Sequence, residues 1–167
     1  DADFLPGPWV AAQAVERACE MASAVGIGTV VVRRVQHVAC LASYLTRATD
    51  RRMMVMMTVS TPSEAVVAAH GGLSRIFSCN PLAAGIPAGT SPILIDTTLA
   101  MSALGPMERA RRQGARLPHP MIVRPDGLLS DDPADFTAGG AILPLGGAEH
   151  GYKGTGLAIL SEALTAA

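Results

Sequence analysis

The segment Gly26-Ile27-Gly28-Thr29-Val30-Val31-Val32-Arg33 decides between two classes of α/β fold. A helix of about 18 residues is predicted before it, because Pro6-Gly7-Pro8 opens a stretch with apolar residues at helical spacing, which Gly26 ends. The β-branched run Thr29–Arg33 predicts a strand after the glycines. A doubly wound nucleotide fold needs the reverse order, with the glycines between a strand and a following helix. The observed order therefore disfavours that fold.

The remaining pattern predicts one mixed α/β domain over residues 1–167, with a non-Rossmann sheet, largely antiparallel or mixed, flanked by helices. Asp96 is placed to cap a helix over Thr97–Gln113. Residues 59–92 are predicted to be mostly irregular, because prolines and glycines interrupt them. Further helices are predicted at His37–Ala48 and Tyr152–Thr165, and further strands at Met53–Thr58, Ile93–Ile95 and Ala141–Leu145.

Composition excludes several classes of partner. Thirteen basic and fourteen acidic residues give a net charge of −1, so no nucleic-acid partner is expected. Apolar stretches such as Met53–Met57 are far shorter than the roughly 18–20 residues of a membrane helix, so no membrane association is expected either. Three widely spaced cysteines indicate free thiols and a cytoplasmic location. An apolar fraction of 49% with only 16% charged residues indicates surface covered by another copy or a further lobe.

Histidine placement argues for proton exchange rather than for metal binding. The four histidines are scattered without a His-x-x-x-His pair, and no metal site is expected. His37 follows the predicted strand Thr29–Arg33 and begins the next predicted helix. A histidine there suits proton transfer near neutral pH, although a capping or partly buried histidine fits the pattern equally well.

Three other positions at the ends of predicted elements can bind a ligand. Ser60 ends a predicted strand, where its hydroxyl either holds a polar ligand group or belongs to a turn. Asp96 lies where a strand meets a helix N-terminus, which attracts polar ligand groups but also favours a simple cap. Lys153 is the only lysine, and it stands among glycines at a predicted helix start, where an ammonium can hold a carboxylate or phosphate.

Seven segments of the chain follow one another in an order that resembles a known family. The ordered set is similar to the malate/L-lactate dehydrogenase family of non-Rossmann NAD(P)-dependent oxidoreductases, which includes ureidoglycolate and sulfolactate dehydrogenases and a cyclic-imine reductase. The segments are Gly26–Arg33 leading to His37; His70-Gly71-Gly72 before Cys79-Asn80-Pro81-Leu82-Ala83; Ile86-Pro87-Ala88; Ile95-Asp96-Thr97-Thr98; Asp126-Gly127 before Asp132-Pro133; Leu143–Gly147; and Tyr152–Leu157 with Glu162.

The resemblance implies a hydride transfer between NAD or NADP and a small 2-hydroxy or 2-oxo acid, by a protein that forms dimers or larger homo-oligomers. It implies that His37 acts as the catalytic acid and base, or assists a histidine on a further segment of a longer chain, and that Ser60 lies beside the nicotinamide. The residues implied to hold the dinucleotide are Asp96, Thr97, Thr98, Leu99, Ala100, Met101 and Ser102, together with Tyr152 and Lys153.

Several differences from the family pattern keep a second function open. Around the histidine the family usually has Asn-Ser-x-His-Phe-Gly, whereas this chain has Arg34-Val35-Gln36-His37-Val38-Ala39. Cys79 replaces a usual threonine. The chain is also expected to be a piece of a longer, two-lobed dehydrogenase. The alternative function is therefore that of a truncated or degenerate relative, which binds a nucleotide or a partner without turnover.

Overall fold

The computed structural model describes residues 1–165 and confirms the mixed α/β class, with two sheets among those residues. The chain divides into two compact units, one formed by Asp1–Thr58 with Leu82–Thr97 and the other by Val59–Pro81 with the chain from Thr98 onward. The single domain expected from the sequence stays a prediction. In chain order the elements are α1 (Gly7–Val25), α2 (Ala42–Thr49), β1 (Val55–Thr58), β2 (Val67–Ala68), β3 (Arg75–Phe77), β4 (Pro81–Ile86), β5 (Ile93–Thr98), α3 (Leu104–Arg112), β6 (Ile122–Val123), β7 (Leu129–Ser130), α4 (Pro133–Thr137), β8 (Ala141–Ile142) and α5 (Gly147–Thr165).

The first unit combines α1 and α2 with a sheet of order β1-β4-β5. Strands β1 and β4 are antiparallel, with Val55 opposite Gly85. Gly85 has no room for a side chain, because a Cβ there would lie 3.0 Å from carbons of Leu45 and Thr49. Small residues in β4 thus let α2 approach the sheet closely.

The second unit contains a five-stranded mixed sheet of order β3-β2-β8-β6-β7. Strands β2 and β8 are parallel, and the other described neighbours are antiparallel. Val67, Ile122 and Ile142 are almost fully buried at the centre of this sheet. Burial of such side chains is the main stabilising term of a core of this kind.

Helix α5 contacts its unit through small residues. Its buried positions recur every three or four residues, so they form one face of the helix. A Cβ at Gly154 would lie 2.6 Å from the main-chain nitrogen of Leu145, and one at Gly151 would lie 2.7 Å from Cγ of Pro144. The main chain of α5 therefore packs directly on residues 143–145. The small buried residues are Gly147, Gly151, Gly154, Ala158 and Ser161, while Leu157, Ile159, Leu160 and Leu164 are exposed.

Two predictions around His37 are wrong. No strand forms over Thr29–Arg33, although exposed and half-buried side chains alternate from Ile27 to Arg33. The N–H of Ala2 donates to the carbonyl of Arg33, but no segment of residues 1–165 forms a strand ladder with this run. The helix predicted at His37–Ala48 begins only at Ala42. Ala39 has a φ of +58°, a left-handed conformation that a right-handed helix cannot contain.

The helix predicted over Thr97–Gln113 is also wrong at its start. Asp96, Thr97 and Thr98 belong to β5, and α3 begins only at Leu104. The intervening chain is held out of a helix, because the N–H of Met101 donates to the carbonyl of Leu143 and Ala100 forms an isolated bridge with Pro144.

Other predicted elements differ mainly in their ends. Residues 59–92 are mostly irregular, as predicted, but they also contain β2, β3 and β4. Strands of two or three residues, such as β2 and β3, are too short to show a period. The last helix begins at Gly147 rather than at Tyr152. The predicted first helix is confirmed, with Gly26 in a left-handed cap at its end. Among the described residues, no helix has both the length and the apolar character needed to cross a bilayer.

Replacing Gly154 by alanine tests whether α5 is held by main-chain packing. We expect Gly154→Ala to lower the free energy of unfolding by about 2 kcal/mol, because its Cβ would overlap the Leu145 main chain. Gly156→Ala, on the same helix with no atom within 4 Å of the new Cβ, is expected to raise it by up to about 1 kcal/mol. Urea unfolding measures both, and similar effects of the two variants would contradict the close packing.

Candidate functional site

The main chain at His37 is fixed by contacts within the first unit. A Cβ on Gly7 would overlap the carbonyl oxygen of His37, so the chain passes directly over the start of α1. The Tyr44 hydroxyl donates to the carbonyl of Val38 at 2.5 Å. Burial raises the pKa of Tyr44, which keeps this hydroxyl protonated as a donor at neutral pH. His37 is thus held by packing and a hydrogen bond although it lies in no helix or strand.

The His37 side chain itself is exposed. Its Nδ1 accepts a hydrogen bond from the main-chain N–H of Ala39 at 3.3 Å. With Nδ1 engaged as an acceptor, a neutral imidazole carries its proton on Nε2. The prediction that His37 begins a helix after a strand is wrong, whereas its role in proton exchange stays a prediction.

Asp96 caps a helix, but a different one from the helix predicted. Its Oδ2 accepts the N–H of Ala42, the first residue of α2, at 2.8 Å. The Cys40 thiol donates to the same oxygen at 3.3 Å. A carboxylate at this point satisfies one of the unpaired N–H groups of α2 and is favoured by the helix dipole. Asp96 therefore ties β5 to the segment that follows His37.

The residues after Asp96 that were predicted to bind the cofactor differ in their solvent exposure. Thr97 is exposed, and the Thr98 hydroxyl donates to the carbonyl of Cys79 at 2.7 Å. Leu99 and Ala100 are each only 2% exposed, and the N–H and the carbonyl of Leu99 are both hydrogen-bonded, to Cys79 and to Leu145. The remaining residues of the run are Met101, which is half-buried, and Ser102, which is buried with its hydroxyl donating to the carbonyl of Ala103.

Cys79 lies beside this run, where the family usually has threonine. Its thiol is 3.8 Å from the carbonyl oxygen of Ser102. Burial raises the pKa of the Cys79 thiol, so it stays protonated at neutral pH and is a poor nucleophile. The cysteine therefore acts as a packing residue and weak donor. All three cysteines of the chain are free.

Tyr152 and Lys153 lie in the first two turns of α5 and are both exposed. The Lys153 ammonium is 5.8 Å from the centre of the Tyr152 ring, within cation–π range. His70 and His150 contact the same ring edge to face, with centroid distances of 5.9 Å and 6.5 Å. The exposed Tyr152 ring is thus bordered by the Lys153 ammonium and by the imidazoles of His70 and His150.

His70 is a member of this cluster that the sequence analysis missed as a contact. The main-chain N–H of His70 donates to the Thr155 hydroxyl at 2.9 Å, and Nδ1 of its ring lies 3.1 Å from where a Cβ of Gly151 would be. The pair Gly71-Gly72, with Gly71 at φ +77°, was the available signal, because it marks a tight turn that presents the preceding residue. Among residues 1–165, no group of three or more His, Cys, Asp or Glu side chains is arranged to hold a metal ion.

Ser60 is not part of α5 but lies beside its C-terminal residue, Thr165. Its hydroxyl oxygen is 2.6 Å from that of Thr165. The next residue, Thr61, donates its N–H to the Ser78 hydroxyl at 2.9 Å. Ser78 in turn hydrogen-bonds the side chain of Asn80. These contacts hold the Ser60 main chain and side chain from two sides.

Asn80 is the centre of a buried network that sequence reasoning did not assign. Its side chain is fully buried, and its amide nitrogen donates to Glu162 at 2.9 Å and to the carbonyl of Ala158 at 3.4 Å. With Ser78 on its amide oxygen, Asn80 has all its polar atoms paired, as buried amides require. Its φ of +42° suits asparagine better than most residues.

The candidate residues thus form three groups. His37 and Asp96 belong to the first unit, where His37 contacts Ala39 and Asp96 contacts Cys40 and Ala42. Tyr152 and Lys153 form a second group, with His70, in the second unit. Ser60 forms the third group, also in the second unit. Thr165 lies thirteen positions after Tyr152 in α5, which is about 20 Å along the helix axis.

Comparison with known proteins decides the relationship that these motifs indicate. A family model described as malate/L-lactate dehydrogenase matches residues 1–167. The chain belongs to this family. The resemblance of the ordered motifs is thereby confirmed.

Curated members of the malate/L-lactate dehydrogenase family are similar over nearly the whole chain. A malate dehydrogenase of Pyrococcus abyssi is 32% identical over 99% of this chain and 46% of its own length. An L-sulfolactate dehydrogenase of Methanocaldococcus jannaschii is also 32% identical, with the same coverage. A solved dehydrogenase from Sinorhizobium meliloti superposes with a TM-score of 0.83 at 30% identity, covering 96% of this chain and 45% of that one. The chain thus spans about half the length of these family members.

Asp96→Ala tests the cap that orders the chain after His37. We expect the variant to lose about 1 kcal/mol of stability, because the Ala42 N–H would lose its acceptor. Asp50→Ala removes the same charge at the opposite end of α2 and is expected to change stability by less than about 0.5 kcal/mol. Thermal unfolding of both variants is the measurement, and equal losses would rule out a capping role for Asp96.

Proposed function

We propose that this chain supplies the dinucleotide-binding part of an NAD(P)-dependent oxidoreductase, which transfers a hydride between nicotinamide and a small 2-hydroxy or 2-oxo acid. Membership of the malate/L-lactate dehydrogenase family is the observation that carries the proposal. Relatives named for malate and sulfolactate support a 2-hydroxy acid as the substrate class. Since the chain spans about half the length of these relatives, the whole activity belongs to the full-length gene product.

The donor set in the second unit fits a nicotinamide dinucleotide. Such a cofactor carries phosphates and two heteroaromatic rings, which need cations, flat apolar surfaces and hydroxyl partners. Lys153 offers an exposed ammonium, the exposed Tyr152 ring offers a stacking surface, and Ser60 offers a hydroxyl. Ser60 and the Tyr152–Lys153 pair lie near opposite ends of α5, which suits an extended ligand with an aromatic ring at each end.

The chain's own residues then divide the work. Lys153 neutralises an anionic group of the cofactor, and Met101, the half-buried residue of the run Leu99–Ser102, borders the dinucleotide. When bound, the cofactor supplies or accepts the hydride. His37 exchanges the proton of the substrate oxygen through Nε2 of its exposed ring. Since Nε2 accepts a proton only when Nδ1 carries the other ring proton, the hydrogen bond from the Ala39 N–H to Nδ1 has to break for this exchange.

A second function is favoured by one observation at His37. Apart from the Ala39 N–H, no hydrogen bond reaches the His37 ring within residues 1–165, so no carboxylate in the described chain orients it as a base. A relative that binds a dinucleotide, or a partner, without turnover would fit such a histidine. Turnover by the full-length gene product separates the two functions.

We also propose a homodimer or larger homo-oligomer acting in the cytoplasm. Large apolar side chains are exposed on α5 and on the segment Ile27–Arg33, which forms no strand. These side chains support association with another chain or lobe. Three free cysteines support a reducing compartment.

Lys153→Ala tests cofactor binding. We expect isothermal titration to show about tenfold weaker binding of NADH and NADPH, which corresponds to about 1.4 kcal/mol for a lost charge-assisted contact. Arg17→Ala removes an exposed cation on α1, where its partner is Glu20, and should leave the affinity unchanged. Loss of affinity in both variants, or in neither, would contradict the assignment of Lys153.

His37→Ala tests the proton-exchange role. In the full-length gene product, we expect the variant to lower turnover of a 2-oxo acid, followed at 340 nm, by about 100-fold or more, because general acid–base catalysis contributes that much. Affinity for NADH should stay within a factor of two or three. Unchanged turnover would remove His37 from the chemistry. An active wild type would also exclude the function without turnover.

A further inference from the structure

We propose that Thr165 is a positioning residue that fixes the direction of the Ser60 hydroxyl, so that Ser60 accepts a hydrogen bond from an N–H group of the dinucleotide. The inference rests on the proposed function and adds the chemistry that Ser60 selects. It starts from the contact between the two hydroxyl oxygens, which are 2.6 Å apart in the second unit.

Proton counting decides which of these two hydroxyls donates. The Thr165 hydroxyl has one proton and lies 2.7 Å from the carbonyl oxygen of Ser161, four residues earlier in α5. A carbonyl oxygen only accepts, so this contact uses the Thr165 proton, as threonine commonly does within helices. At 2.6 Å, the Ser60 hydroxyl must then supply the proton between the two oxygens.

The polarity of Ser60 toward a ligand follows directly. With its only proton directed at Thr165, Ser60 offers lone pairs and no donor. A ligand group at that position is favoured if it carries an N–H or O–H donor, and a carbonyl or phosphate oxygen is disfavoured because two acceptors would face each other. The resemblance places Ser60 beside the nicotinamide, so we take an N–H as the donor.

The neighbouring network keeps Ser60 in this geometry. The Thr61 N–H is held by Ser78, which is joined through the fully buried Asn80 to Glu162 of α5. Glu162 and Thr165 are three residues apart on that helix, so one rigid element controls both sides of Ser60. A fixed hydroxyl pays little ordering cost when a ligand binds.

Two groups of a nicotinamide dinucleotide carry suitable N–H donors, the nicotinamide carboxamide and the adenine amino group. Analogues distinguish them. Reduced 3-acetylpyridine adenine dinucleotide replaces the carboxamide NH2 by a methyl group, and reduced nicotinamide hypoxanthine dinucleotide lacks the adenine amino group. The ratio of the dissociation constants of each analogue and of NADH therefore reports the N–H contact.

Isothermal titration of the chain with NADH and both analogues tests the proposal. We expect one analogue to bind wild type about tenfold more weakly than NADH, as one net hydrogen bond allows. Ser60→Ala and Thr165→Val should each reduce that ratio to below about two, and Thr165→Ser should restore it. Thr137→Val removes a hydroxyl that makes the same kind of helix-internal bond in α4, and it should leave the ratio unchanged.

The outcomes separate the two proposals. If wild type binds NADH but neither analogue is disfavoured, or if Thr165→Val keeps the full ratio while Ser60→Ala abolishes it, the positioning role is wrong and cofactor binding stands. If the folded wild type binds no dinucleotide, both proposals fall. If Thr165→Val lowers the melting temperature below the assay range, the ratio of dissociation constants in Ser60→Ala and Thr165→Ser still tests the proposal. A ratio that Ser60→Ala retains, or that Thr165→Ser loses, would overturn it.

Discussion

Direct packing of a glycine-lined helix on an extended main chain is the constraint on which the second unit depends. Gly151 and Gly154 bring α5 so close to Pro144 and Leu145 that no Cβ fits between them. Glycine in a helix costs roughly 0.5–1 kcal/mol relative to alanine, so these positions lose stability locally and regain it through close contact. The same close packing fixes α5, which carries Tyr152 and Lys153 near one end and Thr165 at the other.

Hydrogen bonds rather than ion pairs hold the candidate residues in both units. Asn80 joins strand ends to α5 with every polar atom of its side chain paired, and Asp96 caps a helix in the other unit. Many of the ion pairs lie on exposed surface, such as Glu108 with Arg111 and Arg112 in α3. Hydrogen bonds to these two arginines lower the pKa of Glu108 to about 2, but such exposed pairs contribute little to stability.

Features with local causes could be predicted from the sequence, and those with distant partners could not. The first helix follows from its proline start and the Gly26 cap, and the family follows from the order of its motifs. The face of α5 was unpredictable from apolar period, because glycines form the buried face and leucines are exposed. Asp96 was correctly expected to cap a helix but was given the wrong one, since Ala42 is 54 residues away in the sequence. Ser60, Tyr152 and Lys153 could be named as candidates, whereas the partners of His70 and Asn80, which lie on α5, are known only from the folded chain.

Nuclear magnetic resonance of the isotope-labelled chain during titration with NADH tests the central claim most directly. We expect the largest amide shifts at Ser60 and Thr61, beside the C-terminal end of α5, and at Tyr152 and Lys153, near its N-terminal end. Shifts confined to the arginines of α3, or no shifts at millimolar NADH, would contradict a dinucleotide site on this helix.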